Sequence, residues 1–418
     1  MSAVSLMTLV FLAALTLGTV LRGWLAWRHY RHVGAHRERV PVDFAASVPL
    51  ADHRKAADYT RAKIRLSAAL LAAETILLLA LTLGGLLDWL DRAWAGPLAE
   101  RGHVHGLALF ASVTVIGFLI DLPFTLYRVF VIEARFGFNK MTWRLAMADF
   151  AKQAVLAAVI GAPVLLAVLW LMTAMGERWW LYVWLFWLVF NLLVMLIYPT
   201  LIAPLFNKFS PLADGDLKTR IEALLERCGF ASSGLFVMDG SKRSAHGNAY
   251  FTGLGRAKRI VFFDTLIQKL TPPQVEAVLA HELGHFRRRH IWKRIGVMAA
   301  VTLGLLWLLG QFMAAPWFYQ GLGVTTASTA MALMLFVQVL PVFLFPLTPM
   351  ASGLSRRHEF EADAYAARHA GAGDLVAALV ALYRDNAATL TPDPLHSLFY
   401  DSHPPASLRI ARLRRAAA

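Results

Sequence analysis

Seven long apolar runs dominate the pattern of hydrophobic and polar positions along the chain. A helix needs about 20 largely apolar residues to cross about 30 Å of hydrocarbon, and each run meets that length. The runs cover residues 4–27, 66–90, 105–131, 153–176, 179–204, 294–314 and 328–350. The pattern therefore predicts a mainly α-helical, polytopic membrane protein with seven transmembrane helices.

The spans leave two longer polar stretches. In the first, Leu217–Cys228 has the amphipathic pattern of a helix, whereas Gly234–Met238 and Arg259–Phe263 have the composition of short strands. The second stretch is predicted to be helical, with a break at the turn Thr391–Pro394. The expected organisation is five spans, a small α+β segment, two further spans and a C-terminal segment. The corresponding boundaries are 1–204, 205–293, 294–350 and 351–418.

The composition supports a membrane protein and excludes several other classes. Hydrophobic residues make up 58% of the chain and charged residues 16%, whereas soluble domains contain about 45–50% and about 25%. The chain has one cysteine, Cys228. This excludes an internal disulfide framework and any thiolate-rich metal site.

The net charge of +14 follows the predicted topology. Basic residues concentrate in the loop after the first span and in the loop after the third, whereas the 315–327 loop carries no charge. The positive-inside rule then places the N-terminus outside and both polar stretches in the cytoplasm. The basic residues would face anionic lipid headgroups, and no nucleic-acid-binding motif is present. Membrane lipids are therefore expected partners, and nucleic acid is not.

A metal-binding motif lies in the first polar stretch. Thr271 suits a helix N-cap and Gln274 suits the third helical position, so a helix is predicted to begin here. On that helix His281 and His285 are four residues apart and share a face. Glu282 follows the first histidine, where it could take a proton from a metal-bound water. Alone, the same pattern also occurs by chance among exposed helical residues.

A catalytic zinc needs a third protein ligand and an open position. Glu359, just beyond the seventh span, is the predicted ligand, and Asp363 on the same helical face would accept a hydrogen bond from a ligand histidine. The alternatives are a solvated charged helix face or His358 as the ligand. His285 lies nine residues before the sixth span and Glu359 nine after the seventh. The metal is therefore expected near the membrane boundary.

Together with the His-Glu-x-x-His motif, five separated segments resemble the type I CAAX prenyl protease family, whose members are seven-span zinc metalloproteases. The segments are Pro204–Pro211, Ser241–Phe251, Lys258–Leu266, Glu359–Asp363 and His403–Arg409. The resemblance covers essentially the whole chain. It implies seven helices that enclose a water-filled chamber, with a small cytoplasmic α+β zinc metalloprotease domain at the chamber's end.

The resemblance also implies the roles of the metal-site residues. His281, His285 and Glu359 would bind one Zn²⁺ per chain, Glu282 would be the general base, and Asp363 would support a ligand. The zinc would polarise the scissile carbonyl of a peptide. The implied activity is therefore that of a zinc metalloendopeptidase.

Substrate-binding residues are implied in the same way. Asn248, Ala249 and Tyr250 would belong to an edge strand that pairs with an extended peptide. His403 would act near the scissile carbonyl, and Arg409 would help to hold the substrate or the oxyanion. The alternatives are that Asn248 is a turn residue after a glycine and that His403 is a turn residue before two prolines.

The substrate and the source membrane remain open at this level. The resemblance implies removal of the C-terminal tripeptide from prenylated proteins, so a lipidated peptide or protein would be the substrate. The alternatives are a quality-control protease for membrane proteins and a non-enzymatic chaperone or transporter. The Ala-, Leu- and Arg-rich composition suggests a bacterial inner membrane; a eukaryotic source would imply the endoplasmic reticulum. Glu74, Asp121 and Asn191 lie within predicted spans and are expected either to face the chamber or to join helices.

Overall fold

The computed structural model describes residues 1–98, 102–252 and 259–417. Lys258, which begins one of the signature segments, lies outside the described residues. Within them, seven helical segments are long and apolar enough to cross a membrane. The prediction of a polytopic, mainly α-helical membrane protein is therefore confirmed.

The described residues form eighteen α-helices and four β-strands. The first part contains α1 (Ala3–Ala35), α2 (Leu50–Leu81), α3 (Leu86–Ala95), α4 (Gly102–Tyr127), α5 (Trp143–Leu156), α6 (Ala162–Ala174), α7 (Trp179–Ile197), α8 (Ala203–Phe206), β1 (Phe209–Pro211), α9 (Asp216–Arg227), β2 (Leu235–Met238), β3 (Ala249–Thr252), β4 (Arg259–Phe263), α10 (Asp264–Lys269) and α11 (Pro272–Arg287). The second part contains α12 (His290–Met313), α13 (Pro316–Gly321), α14 (Thr329–Leu344), α15 (Thr348–Ala366), α16 (Ala372–Asp385), α17 (Pro394–Tyr400) and α18 (Ala406–Ala417). Single π-helical turns join α5 to α6 and α7 to α8, so each pair forms one continuous helix.

The second span differs from the predicted run at 66–90. Helix α2 ends earlier, and the short amphipathic helix α3 follows a turn in which Gly85 has φ +74°. Glycine adopts this left-handed conformation without the steric cost that a Cβ brings. The buried Asp88 of α3 accepts hydrogen bonds from the backbone N–H and the hydroxyl of Thr325, at 3.0 and 2.7 Å. A polar anchor that is remote in sequence therefore ends this span early.

The spans form a closed ring in chain order. Each neighbouring pair is in contact along the series α1, α2, α4, α6, α7, α12 and α14, and α14 closes the ring against α1. At one end the ring is filled by a buried apolar cluster that includes Leu109, Leu169, Leu309 and Leu335. Because this cluster lies at the end away from the sheet, the bundle is closed there by side-chain packing.

Polar side chains line cavities between the spans. Two cavities of about 330 and 370 Å³ adjoin one another, and Glu74 and Gln338 line both. Asp121 lines the second of them. Asn191 instead donates a hydrogen bond to the carbonyl of Trp187, one turn earlier in its own helix, and lines a separate cavity between α7 and α12. Glu74 and Asp121 thus line cavities between helices, where intramembrane carboxylates are usually found.

The extramembrane unit consists of the described residues of 205–293 and 351–417. Its sheet has the order β1-β2-β4-β3, in which β2 and β4 are parallel and the outer pairs are antiparallel. One buried cluster joins both segments; it contains Leu224 of α9, Phe262 of β4, Leu279 of α11 and Leu375 of α16. The predicted helix at 217–228 and both predicted strands are present. The two polar stretches therefore fold against each other.

Candidate metal and peptide site

Helix α11 carries the metal-binding motif because its start is defined by local signals. Thr271 caps the helix, and its backbone N–H donates to Gln274 Oε1 at 3.1 Å in a reciprocal capping box. Proline occupies the first helical position, where a missing N–H costs nothing. The second half of the helix then presents His281, Glu282 and His285 next to α15.

The glycine inside the motif allows α11 and α15 to cross at very short range. A Cβ at Gly284 would lie 2.9 Å from Ala362 Cα and 3.0 Å from Tyr365 Cβ. Real Cβ atoms essentially never come within 3.0 Å of such atoms, so the two backbones are in direct contact here. The crossing brings the histidines of α11 opposite Glu359, one turn before Ala362 on α15.

Three side chains that can bind a metal, His281 and His285 of α11 and Glu359 of α15, converge on one point. His281 Nε2 lies 3.4 Å from Glu359 Oε2, and His285 Nε2 lies 3.3 Å from Glu359 Oε1. The two Nε2 atoms are 3.2 Å apart. Among the described residues, these three form a group whose ligand atoms all lie within 4.8 Å of one another. His358, the alternative third ligand, instead stacks on His290.

The hydrogen bonding of this group fits a bound cation. His281 Nδ1 is 2.9 Å from Asp363 and His285 Nδ1 is 3.0 Å from His290, so both histidines have partners on that side. Their neutral forms then direct two Nε2 lone pairs at each other. Glu359 Oε2 is buried and accepts no hydrogen bond from the described residues. A cation placed between these groups would satisfy both lone pairs and the unpartnered carboxylate oxygen.

A buried ion pair supports the first histidine. Arg409 is 5% exposed and donates from Nε and Nη2 to the two carboxylate oxygens of Asp363, at 2.8 and 2.6 Å. Burial opposes a positive charge on His281, but the adjacent carboxylates of Asp363 and Glu359 outweigh this and raise the pKa of His281 to about 9. A strongly basic imidazole is a strong metal ligand.

Glu282 lies beside the metal-binding group of His281, His285 and Glu359 but is not part of it. Its side chain lines a cavity of about 440 Å³, together with His281. Burial raises the pKa of Glu282 above the usual value for a carboxyl group. A carboxylate in this position is a stronger base than one in water, which suits it to accept a proton.

The same cavity contains the predicted peptide-binding residues. Asn248, Ala249, His403 and Arg409 all contribute to its lining. His403 Nε2 lies 3.4 Å from Glu359 Oε1, and its Nδ1 is 3.0 Å from the hydroxyl of Ser402. The structure therefore brings the metal-binding group, the candidate base and these residues to one site.

Strand β3 lies at the edge of the sheet that the described residues form. The carbonyl of Asn248 accepts a hydrogen bond from Phe263 N at 2.9 Å, so that residue faces β4. Backbone groups alternate in direction along an antiparallel strand, and the carbonyl of Ala249 therefore faces the open side. The side chain of Tyr250 packs against Met238 and Phe263 instead. By the same alternation the backbone groups of Tyr250 face β4, opposite Val261, so the outward-facing backbone at this point is that of Ala249.

Arg409 has a different immediate environment from the one the sequence suggested. Two of its nitrogens are used by Asp363, and Nη1 lies 3.8 Å from Glu359 Oε2. It is therefore a partner of the metal-binding group, and a direct contact with substrate stays a prediction.

Asn386 was missed by the sequence reasoning. Its Oδ1 accepts a hydrogen bond from Gly247 N at 3.1 Å, and its Nδ2 donates to Gly247 O at 3.4 Å. These bonds fix the segment that enters β3. Asn386 follows α16, far along the chain, and no local pattern connects it to the strand.

Comparisons with known proteins agree with this geometry. A family model described as the CAAX prenyl protease N-terminal region, with five membrane helices, matches residues 29–208. The model of peptidase family M48 matches residues 211–417. The two matches meet where the fifth span passes into the extramembrane unit.

Relatives match along most of their length. The CAAX prenyl protease 1 homolog of Arabidopsis thaliana is 38% identical over 339 residues, 78% of each chain. CAAX prenyl protease 1 of Saccharomyces cerevisiae is 38% identical over 73% of this chain and 71% of its own. The crystal structure of S. mikatae Ste24p matches with a TM-score of 0.90 and 32% identity, over 97% of this chain and 99% of that one. This protein therefore belongs to the CAAX prenyl protease family, within the metallopeptidases of family M48.

Proposed function

We propose that this membrane metalloprotease uses zinc and removes the C-terminal tripeptide of prenylated CAAX proteins. The observation that carries the proposal is the single cavity in which Glu282, His281 and the edge strand meet. The relatives named as CAAX prenyl proteases support the substrate class.

The donor set supports zinc in particular. Two imidazoles and one carboxylate, with an open fourth position, are the ligands of many catalytic zinc sites. A zinc ion bound by His281, His285 and Glu359 would polarise the scissile carbonyl and acidify a water molecule.

The side chains around the metal-binding group transfer the proton, bind the peptide and stabilise the oxyanion. Glu282 takes a proton from the attacking water and later gives it to the nitrogen of the leaving peptide. The outward-facing carbonyl of Ala249 accepts a hydrogen bond from the extended substrate. His403 Nε2 lies against the same Glu359 oxygen, Oε1, as His285 Nε2, and from this position beside the metal-binding group it would stabilise the carbonyl oxygen that becomes negative.

The position of the site supports a lipidated substrate. His285 is separated by only four residues from His290, where the sixth span begins. A peptide cleaved here would keep its C-terminal region next to the bilayer surface. An isoprenyl group could then remain in hydrocarbon while the peptide bond reaches the site.

The test is cleavage of a fluorogenic peptide that ends in farnesyl-Cys-a-a-X by the purified protein. We expect hydrolysis after the modified cysteine, with kcat/KM at least about tenfold above that of the S-methyl peptide, a difference of about 1.4 kcal/mol. A zinc chelator should stop the reaction, and added zinc should restore it. Equal rates on both peptides would contradict the prenyl preference and favour the quality-control alternative. Hydrolysis unaffected by the chelator would contradict the zinc mechanism.

We also propose the topology that the basic loops indicate, with the N-terminus outside and the extramembrane unit in the cytoplasm, as in a bacterial inner membrane. We propose with it the division of the chain into five spans (1–204), a first cytoplasmic segment (205–293), two further spans (294–350) and a second cytoplasmic segment (351–418). Cys228 is the chain's single cysteine and lies at the end of α9 in this unit.

Cys228 offers a direct test of this orientation. A membrane-impermeant maleimide applied to intact spheroplasts should leave it unlabelled, and the same reagent should label it after permeabilisation. Equal labelling in both samples would place the unit outside and overturn the orientation.

A further inference from the structure

The second metal-binding histidine has a different support from the first. His281 contacts a carboxylate directly, whereas His285 Nδ1 lies 3.0 Å from His290 Nδ1. His290 Nε2 in turn lies 3.1 Å from Glu361 Oε2. A carboxylate therefore reaches His285 through an intervening imidazole.

The hydrogen bonds of this chain have one self-consistent direction. A neutral histidine that binds a metal through Nε2 carries its proton on Nδ1. His285 would then donate to the lone pair on His290 Nδ1. His290 must carry its own proton on Nε2, which it donates to Glu361. Each proton has an acceptor, and both tautomers are fixed.

His290 is held in place from several sides. It is 5% exposed, and its ring stacks on that of His358 with centroids 4.0 Å apart and an interplanar angle of 12°. The preceding residue, Arg289, has φ +55°, a left-handed conformation that is unfavourable for a side chain larger than glycine. This turn between α11 and α12 directs His290 back toward His285. The backbone cost of the turn is consistent with a functional requirement there.

We propose that His290 and Glu361 are positioning residues that fix the orientation and metal-binding tautomer of His285. The inference rests on the proposed metal site. It assigns a function to Glu361, which points away from the ligand face of α15. It also links the first residue of the sixth span to a metal ligand, because His290 begins α12.

Two substitutions of His290 separate hydrogen bonding from packing. His290→Phe keeps an aromatic ring that can stack on His358 but removes both nitrogens. His290→Gln loses the ring but keeps an amide oxygen that can accept from His285 Nδ1. Zinc affinity is measured by competition with a chromophoric chelator, without substrate. We expect about 10–100-fold weaker binding for His290→Phe and a loss of less than about threefold for His290→Gln.

Further variants complete the experiment. Glu361→Ala should weaken zinc binding by about three- to tenfold, because the imidazole remains but loses its acceptor. His53→Ala is the matched control: His53 is 1% exposed and bonds to the carbonyl of His36, away from the metal site. It should keep the zinc affinity of the unmodified protein. The visible spectrum of the cobalt-substituted protein should change for His290→Phe and stay unchanged for His53→Ala.

The outcomes distinguish this inference from the proposed function. If the unmodified protein binds no zinc, the proposed function fails. If the unmodified protein binds zinc and His290→Phe binds it equally well, only the positioning role of His290 and Glu361 is overturned. A larger loss of zinc affinity in His290→Gln than in His290→Phe would show that the ring's packing, and not its hydrogen bonding, supports His285, and would also overturn the inference.

Discussion

Replacing Glu282 by glutamine is expected to lower kcat by about 10²–10⁴-fold, the usual contribution of a general acid–base group. Glutamine has nearly the same shape but cannot accept the proton of the attacking water. Since Glu282 lies outside the group of three ligands, the variant should keep its zinc. Hydrolysis of the farnesylated peptide and the zinc content of the purified variant are the two measurements.

Glu222→Gln is the matched control, because Glu222 is an exposed residue of α9. It should leave both the rate and the zinc content unchanged. Turnover of Glu282→Gln within about threefold of the unmodified protein would exclude Glu282 as the base, since general bases contribute far more. Loss of zinc from that variant would instead show that Glu282 helps to bind the metal.

Asp363→Ala is expected to cost about 3–5 kcal/mol of folding free energy, because it leaves the charge of Arg409 buried without its partner. Zinc binding should weaken by about 10–100-fold as well, since His281 Nδ1 loses its acceptor. Arg409→Met should also destabilise the protein, since it leaves the carboxylate unpaired. Thermal unfolding of the metal-free protein and competition for zinc measure the two effects separately.

The double variant Asp363→Leu/Arg409→Met separates the two functions of the pair. Replacing a buried ion pair by apolar residues of similar volume is often neutral or stabilising. The double variant should therefore recover most of the stability lost in either single variant, while zinc binding stays weak. If the double variant recovered full zinc affinity, the support of His281 by Asp363 would be disproved.

The elements that could be predicted from the sequence are those with local causes. The seven spans follow from apolar length alone, and α11 begins where the capping residues Thr271 and Gln274 predict it. The placement of Glu359 opposite the histidines agrees with the spacing of the two motifs. It depends on Gly284, whose missing side chain lets α11 and α15 touch.

Features that depend on contacts distant in the sequence could not be predicted. The early end of the second span depends on Asp88 and Thr325, which are 237 residues apart. Arg409 is 46 residues from its partner Asp363, and Asn386 is 139 residues from Gly247, whose backbone it holds. His290 had a local signal in its spacing of five residues from His285. That spacing alone did not show whether the His290 ring turns toward His285.

The closed ring has a consequence for the order in which the protein is made. His281, Glu282 and His285 are synthesised before the seventh span, and Glu359 follows it on a nearly continuous helical run. The same segment closes the ring by docking α14 against α1. A nascent chain thus carries its base and two histidines without the third ligand. The hydrolytic centre is completed only by the segment that seals the bundle, so an unfinished chain in the membrane lacks a complete metal site.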